Sequence, residues 1–153
     1  MGMICELYRV SDNRIDDLMK LNQDEAIEYL DENYGSINGK YHVENDTVFP
    51  MDKCWAIAKY ILKQADTTDT KILNSLDNLF VKSKEVKPIN QLFQEIINNG
   101  LKKHYDRKKM TEHYVYRAEM DYDWEYIFVH IKTYQKAFEK ASEMDDGIAI
   151  NWG

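Results

Sequence analysis

The densest potential chemistry in the chain lies in Glu119-Met120-Asp121-Tyr122-Asp123-Trp124-Glu125, where four carboxylates alternate with apolar or aromatic side chains. On extended backbone, successive side chains point to opposite faces, so a period of two places all four acids on one side. A calcium loop is the obvious suggestion, but the glycine after the third ligand and the distal bidentate glutamate are both missing. Acid/base catalysis needs one carboxyl held in an apolar pocket with a raised pKa, a property that spacing alone does not specify. The plain reading is a solvated acidic edge that also caps the helix after it. The functional reading is a patch for a basic protein partner, with Tyr116, Tyr122 and Trp124 giving contact area and Asp121, Asp123 and Glu125 steering and orienting the partner.

A second candidate surrounds Pro50 to Lys63. Asp52, Trp55 and Tyr60 offer a carboxylate, an indole and a phenol around one helix, the ingredients of a small-molecule pocket, enzymatic or not. Helical geometry sets Tyr60 nearly opposite the Trp55 stripe, so core packing with an N-cap at Asp52 is the simpler reading. Lys102 to Lys109 is a basic cluster holding a single aromatic, Tyr105, and reads as a solvated helix face able to pair with the acidic stretch. His42, His104, His113 and His130 lack the i, i+4 spacing of a zinc helix, and no phosphate-cradling glycine loop or nucleophile elbow occurs. No catalytic residue, metal or cofactor is assigned from sequence.

These side chains must be positioned by a chain of 153 residues, the usual size of one domain. Its charge of −7 argues against general affinity for nucleic acid or anionic membranes and favours basic partners. Eleven Tyr and three Trp exceed what a core of this size needs, which points to a contact surface. The two cysteines, Cys5 and Cys54, each fall inside a predicted core element and read as buried reduced thiols of a cytoplasmic protein. No apolar run approaches the roughly 18 residues that span a bilayer, and the N-terminus has no secretion-signal pattern.

Periodicity predicts a central strand over Met3 to Val10 and a helix after Ser11 with Ile15, Leu18, Met19 and Leu21 on its apolar face. A second helix should start at Asn22 and stop at Gly35, with Ala26, Ile27, Leu30 and Tyr34 inward. Gly35 to Pro50 reads as loop, with a turn at Asn38-Gly39 and at most a short strand at Tyr41-His42-Val43. Asp52 to Gln64 then forms a core helix with Met51, Cys54, Trp55, Ala58, Ile61, Leu62 and Ala65 on one stripe. Lys71 to Val86 fits either a helix then a strand, or one irregular helix. Pro88 suits the first turn of a helix carrying Ile89, Leu92, Phe93, Ile96 and Ile97. Tyr114-Val115-Tyr116 reads as extended. Asp123 can cap the long helix Trp124 to Met144, and Ile148 to Trp152 reads as a last strand. The expected fold is α+β: a single compact domain, residues 1–153, whose small sheet includes both terminal strands and packs against several helices.

Three places agree in order and position with a known family: the opening Met1-Gly2-Met3-Ile4; Asp52-Lys53-Cys54-Trp55 with the apolar helix ending Tyr60-Ile61-Leu62; and a tyrosine-bearing helix running into Gly147-Ile148-Ala149-Ile150. This pattern resembles the YfbM-like family of small bacterial proteins, defined by a domain of unknown function (DUF1877). The resemblance spans essentially the whole chain. It implies a small α+β domain, a bacterial cytoplasmic setting and, from members lying among toxin and immunity genes, an immunity- or antitoxin-like role for the protein itself. It implies no reaction. Two positions depart from the pattern: Cys5 stands where a small residue, usually glycine, is expected, and Lys59 where many members carry histidine.

Overall fold

The computed structural model describes residues 2–35 and 46–153. The expected Asn38-Gly39 turn, the Tyr41 to Val43 strand and His42 lie outside the described residues. The β-rich opening forms strand β1 (Cys5–Val10), which takes a central place between β2 (Val48–Met51) and β4 (Gly147–Trp152). The two-residue β3 (Phe80–Val81) lines the outer side of β4, giving the order β2-β1-β4-β3 with every pair antiparallel. Thus the first and last strands share one sheet, with Cys5 opposite Trp152 and Val10 opposite Gly147. β2 falls in the stretch read as loop. Its Pro50 cannot donate to a ladder, which hides the strand from pattern reading, but an edge position tolerates the missing donor.

β1 is buried on both faces, so its alternation sorts two cores. Cys5 and Leu7 join the larger one, while Tyr8 and Val10 join the smaller one. Over the smaller core lie α1 (Asp12–Leu18) and α2 (Gln23–Tyr34), packed through Ile15, Leu18, Ala26 and Leu30. Both caps form as expected, Ser11 accepting from the Arg14 amide at 3.2 Å and Asn22 from the Glu25 amide at 2.9 Å. Met19 and Leu21 are exposed, because α1 ends at Leu18 before the apolar face reaches them.

The larger core sits under α3 (Trp55–Gln64), α4 (Ser83–Ile96) and α6 (Trp124–Glu143). α3 begins three residues later than expected, with Met51 in β2 and Asp52 not capping the helix. Instead the Asp52 amide donates to His130 Nε2 at 3.1 Å, and its carboxylate accepts from the Tyr126 hydroxyl at 3.1 Å. Ala56 and Ile57 are buried as well, so α3 is embedded around most of its circumference.

Residues 71–86 resolve into a 3-10 turn (Ile72–Asp77), then β3, then the start of α4. Buried Asp66 organises the turn by accepting from the Thr68 and Leu73 amides, each at 2.9 Å. Burial raises the cost of its charge, but those bonds, the Thr68 hydroxyl and Lys71 outweigh it and hold the carboxyl below its ordinary value. α4 starts at Ser83, whose amide is held by Asp12 at 2.9 Å, which leaves Pro88 inside the helix and not in its first turn.

Leu101–His104 is a second 3-10 turn and α5 spans Arg107–Glu112, capped by Asp106 on the Lys109 amide at 3.1 Å. Tyr114 to Tyr116 is a turn, with Tyr114 at φ 57° and the Val115 amide bonded back to the Met110 carbonyl at 2.9 Å, so no strand forms there. At the head of β4 a Cβ on Gly147 would meet Ile15 Cδ1 at 2.5 Å and the Val81 carbonyl oxygen at 2.6 Å, so only glycine lets β4 pass between α1 and β3. Among the described residues, no helix is long and apolar enough to cross a membrane.

Candidate functional site

Asp123 has extended backbone (φ −63°, ψ 142°) and leads straight into α6, so the expected alternation survives at the helix entrance. Asp121, Asp123 and Glu125 are exposed, with Tyr122 and Trp124 half-buried between them, while Glu119 drops into the preceding turn. The aromatics fasten the row to the core. Tyr122 lies 5.3 Å from Tyr126, and Trp124 lies 5.8 Å from Phe128 and 6.4 Å from Tyr105 between ring centres. The Tyr105 hydroxyl donates to the Tyr122 carbonyl at 2.9 Å. From the basic cluster, Arg107 donates to the Glu119 carbonyl at 2.6 Å and lies 3.5 Å from Asp121. Asp123, although in the N-cap position, makes no side-chain cap bond, so the expected cap of α6 does not form through its carboxylate.

Tyr116 joins this row only through Arg117, which hydrogen-bonds both the Tyr116 and the Tyr122 side chains. Its ring stacks on Trp55 at 6.1 Å, and Trp55 stacks on Trp152 at 5.9 Å, with interplanar angles of 29° and 24°. The Tyr116 hydroxyl accepts from the Met3 amide at 2.8 Å and from Arg117 Nε at 3.3 Å. Arg117 above all, seconded by that amide and Lys53, holds the phenol below its ordinary pKa. Lys59 covers the stack from one side, its amine 5.4 Å from the Trp55 ring centre and 5.1 Å from that of Trp152, and pairs with Asp77 at 2.9 Å. Asp77 also takes Lys63.

Trp55 and Tyr60 nevertheless line one cleft. The Tyr114 to Tyr116 turn folds across α3, and a cleft of about 440 Å³ opens between them, lined also by Lys59, Lys63, Tyr114 and Tyr116. Tyr60 reaches its rim with the hydroxyl 3.4 Å from His113 Nδ1. Burial first, then Asp106, pushes the Tyr60 phenol up. Asp52 does not line the cleft, so the expected carboxylate is missing from it. The site is an aromatic slot flanked by lysines already matched to Asp77. Among the described residues, no three His, Cys, Asp or Glu side chains converge as a metal site.

The family model for a domain of unknown function, DUF1877, matches residues 1–150. The chain belongs to the DUF1877 family. Its fold is also that of YfbM from Escherichia coli, a protein of unknown function, with a TM-score of 0.63 at 13% identity over 97% of this chain and 98% of that one. No curated protein matches it. The two departures from the family pattern now have physical settings. Cys5 is fully buried on the α3 side of the sheet, and Lys59 serves as the cation of the indole stack.

Sequence reasoning set His130 at the flank of the core without its partners, and missed a second feature of this DUF1877 domain altogether. His130 is buried on α6, receiving the Asp52 amide at Nε2 and donating from Nδ1 to the Tyr126 carbonyl at 2.9 Å, which ties β2 to α6. Its position one residue before Ile131 was the available signal. The missed feature is an acidic stripe on α2, Asp24, Glu28 and Asp31, which faces a second cleft beside Tyr8 and Asn151. The i, i+4, i+7 spacing of those acids was legible, but the opposing strand residues were not.

Proposed function

We propose that this DUF1877 domain is a non-catalytic module that binds a basic protein through the Asp121, Asp123 and Glu125 row. One observation carries the reading: three carboxylates stand exposed on a base fixed by Tyr122, Trp124 and the α6 entrance, with one arginine contact at 3.5 Å among them. Rigid, solvent-facing charge of one sign speeds and orients encounter with an oppositely charged partner. With their rings turned into the domain, Tyr122 and Trp124 offer their edges as contact area. Tyr116 packs in the Trp55 stack and reaches the row through Arg117, which also bonds Tyr122. The overall charge of −7 acts in the same sense. An immunity- or antitoxin-like role in a bacterial cytoplasm is the setting that the family resemblance favours.

The test is affinity capture of the tagged protein from its native lysate at low and moderate salt, beside the Asp121→Ala/Asp123→Ala/Glu125→Ala variant. A basic protein held at low salt and lost by a variant with an unchanged melting curve is the expected result. Equal retention by the variant removes the row from the account. A second reading, a small-molecule site, draws on the Trp55 and Tyr60 cleft of about 440 Å³. A metabolite that raises the melting temperature of the domain but not of Trp55→Leu would favour it.

A further inference from the structure

Helix α3 presents two adjacent rows to the cleft beneath the Tyr114 to Tyr116 turn: Trp55, Lys59 and Lys63 at i, i+4, i+8, and Ala56, Tyr60 and Gln64 one position on. Four rings line the cleft, those of Trp55, Tyr60, Tyr114 and Tyr116. By themselves such rings favour a cation, since their faces carry negative potential. The lysines reverse that preference.

Lys59 and Lys63 hold a single carboxylate between them, Lys59 on one oxygen of Asp77 at 2.9 Å and Lys63 on the other. No other acid among the described residues pairs with either lysine. One positive charge is therefore left unbalanced at the wall of the cleft. Both lysine side chains are largely covered, 18% and 27% exposed, so water screens this charge less than one in the open. Lys59 is also fixed in place, since its amine lies over the rings of Trp55 and Trp152.

A second observation points to a ligand. Tyr114 lines the cleft, yet it is 95% exposed, and its backbone sits at φ 57°, a region that a bulky residue enters only at a cost. Stability alone would favour asparagine or glycine at this position, and a ring held in water gives the folded domain nothing in return. The cleft is near the small end of the range for ligand sites, with room for roughly one or two rings. One surplus charge matches one carboxylate. A nucleotide phosphate brings up to about two negative charges and calls for an arginine fork or a nest of amides, and no arginine lines this cleft.

We propose that this cleft binds a planar aromatic monocarboxylate, its ring against Trp55, Tyr60 and Tyr114 and its carboxylate on Lys59 and Lys63. The proposal rests on the small-molecule reading of the cleft and names its ligand class, and it is independent of the Asp121 row at the α6 entrance.

The test is an amide NMR titration of the full chain with indole-3-acetate, beside neutral indole-3-acetamide, cationic tryptamine and adenosine monophosphate. Expected are shifts at residues 55–64 and 114–116, led by indole-3-acetate and weakening with salt. Lys63→Met leaves Lys59 and Asp77 matched one to one and should lower affinity about tenfold, the worth of one charge-assisted bond. Asp77→Asn releases a second ammonium and should raise affinity several-fold, a gain that mere loosening of the wall would not give. Tyr114→Asn keeps a residue that accepts left-handed backbone and should weaken binding several-fold at an unchanged melting temperature. The proposal is overturned by silence up to roughly 10 mM indole-3-acetate, by equal shifts with the acetamide, or by indifference to Lys63→Met. Silence with all four compounds removes the cleft as a small-molecule site as well, whereas binding led by tryptamine or the nucleotide keeps the site and overturns the ligand class. The Asp121→Ala/Asp123→Ala/Glu125→Ala variant should keep all of these shifts, so failure of the acidic row is separable from failure of the cleft.

Discussion

Cys5 and Cys54 are free and buried, and burial pushes each thiol from 9.0 up to about 12, with Lys59 opposing the rise at Cys5 and Asp52 adding to it at Cys54. A pKa raised by folding favours the native state in full below the unfolded value and loses that advantage as pH climbs through the folded one. Stability should therefore fall between pH 9 and pH 12, aided by Tyr126, which burial and then Asp52 raise from 10.0 to about 12. Denaturant titrations at pH 8, 9.5 and 11 measure this, and Cys5→Ala/Cys54→Ala should flatten the slope. A slope unchanged by the double variant would place the alkaline sensitivity elsewhere. The burial of both thiols was legible in the sequence, because each sat among apolar neighbours at the right period. The tie between His130 and the Asp52 amide was not, since it joins positions far apart in the chain.

α4 carries the clearest element-scale strain. Its exposed Pro88 cannot donate a backbone hydrogen bond inside a helix that the sequence alone would start later. Pro88→Ala restores the amide and removes no buried contact, and should stabilise the domain by about 1–2 kcal/mol after the unfolded chain regains its freedom. A thermal melt decides the sign: a lower melting temperature would mean that the proline shapes the α4 path. The same segment marks what pattern reading could and could not deliver. Ile89, Leu92, Phe93 and Ile96 declared the buried face of α4, but its first turn is set by Asp12, a residue on α1. Likewise Ser11 and Asn22 announced their caps, while Tyr114 to Tyr116, rich in strand-forming residues, turned because Val115 bonds to Met110 and Tyr116 stacks on Trp55.

At the scale of the molecule, β4 is bonded on both sides, to β1 and β3, and carries Ile148 and Ile150 into the larger core and Ala149 into the smaller one. Ending the chain after Asp146 should abolish the cooperative unfolding transition, leaving β1 with an open edge and both cores uncovered. A sharp melt from that variant would show that the helices hold the fold without their central strand. Expectation and fold agreed here because both terminal stretches alternate strongly enough to declare strands, and two strands of a small domain find each other in one sheet. With Cys5 facing Trp152 across the ladder, β1 leaves the ribosome long before β4, its partner in the sheet. At ordinary elongation rates that delay is roughly ten to thirty seconds. Meanwhile β2 can already pair with Leu7 and Tyr8, so what the growing chain holds open over that interval is the other edge of β1 and the two cores that β4 closes.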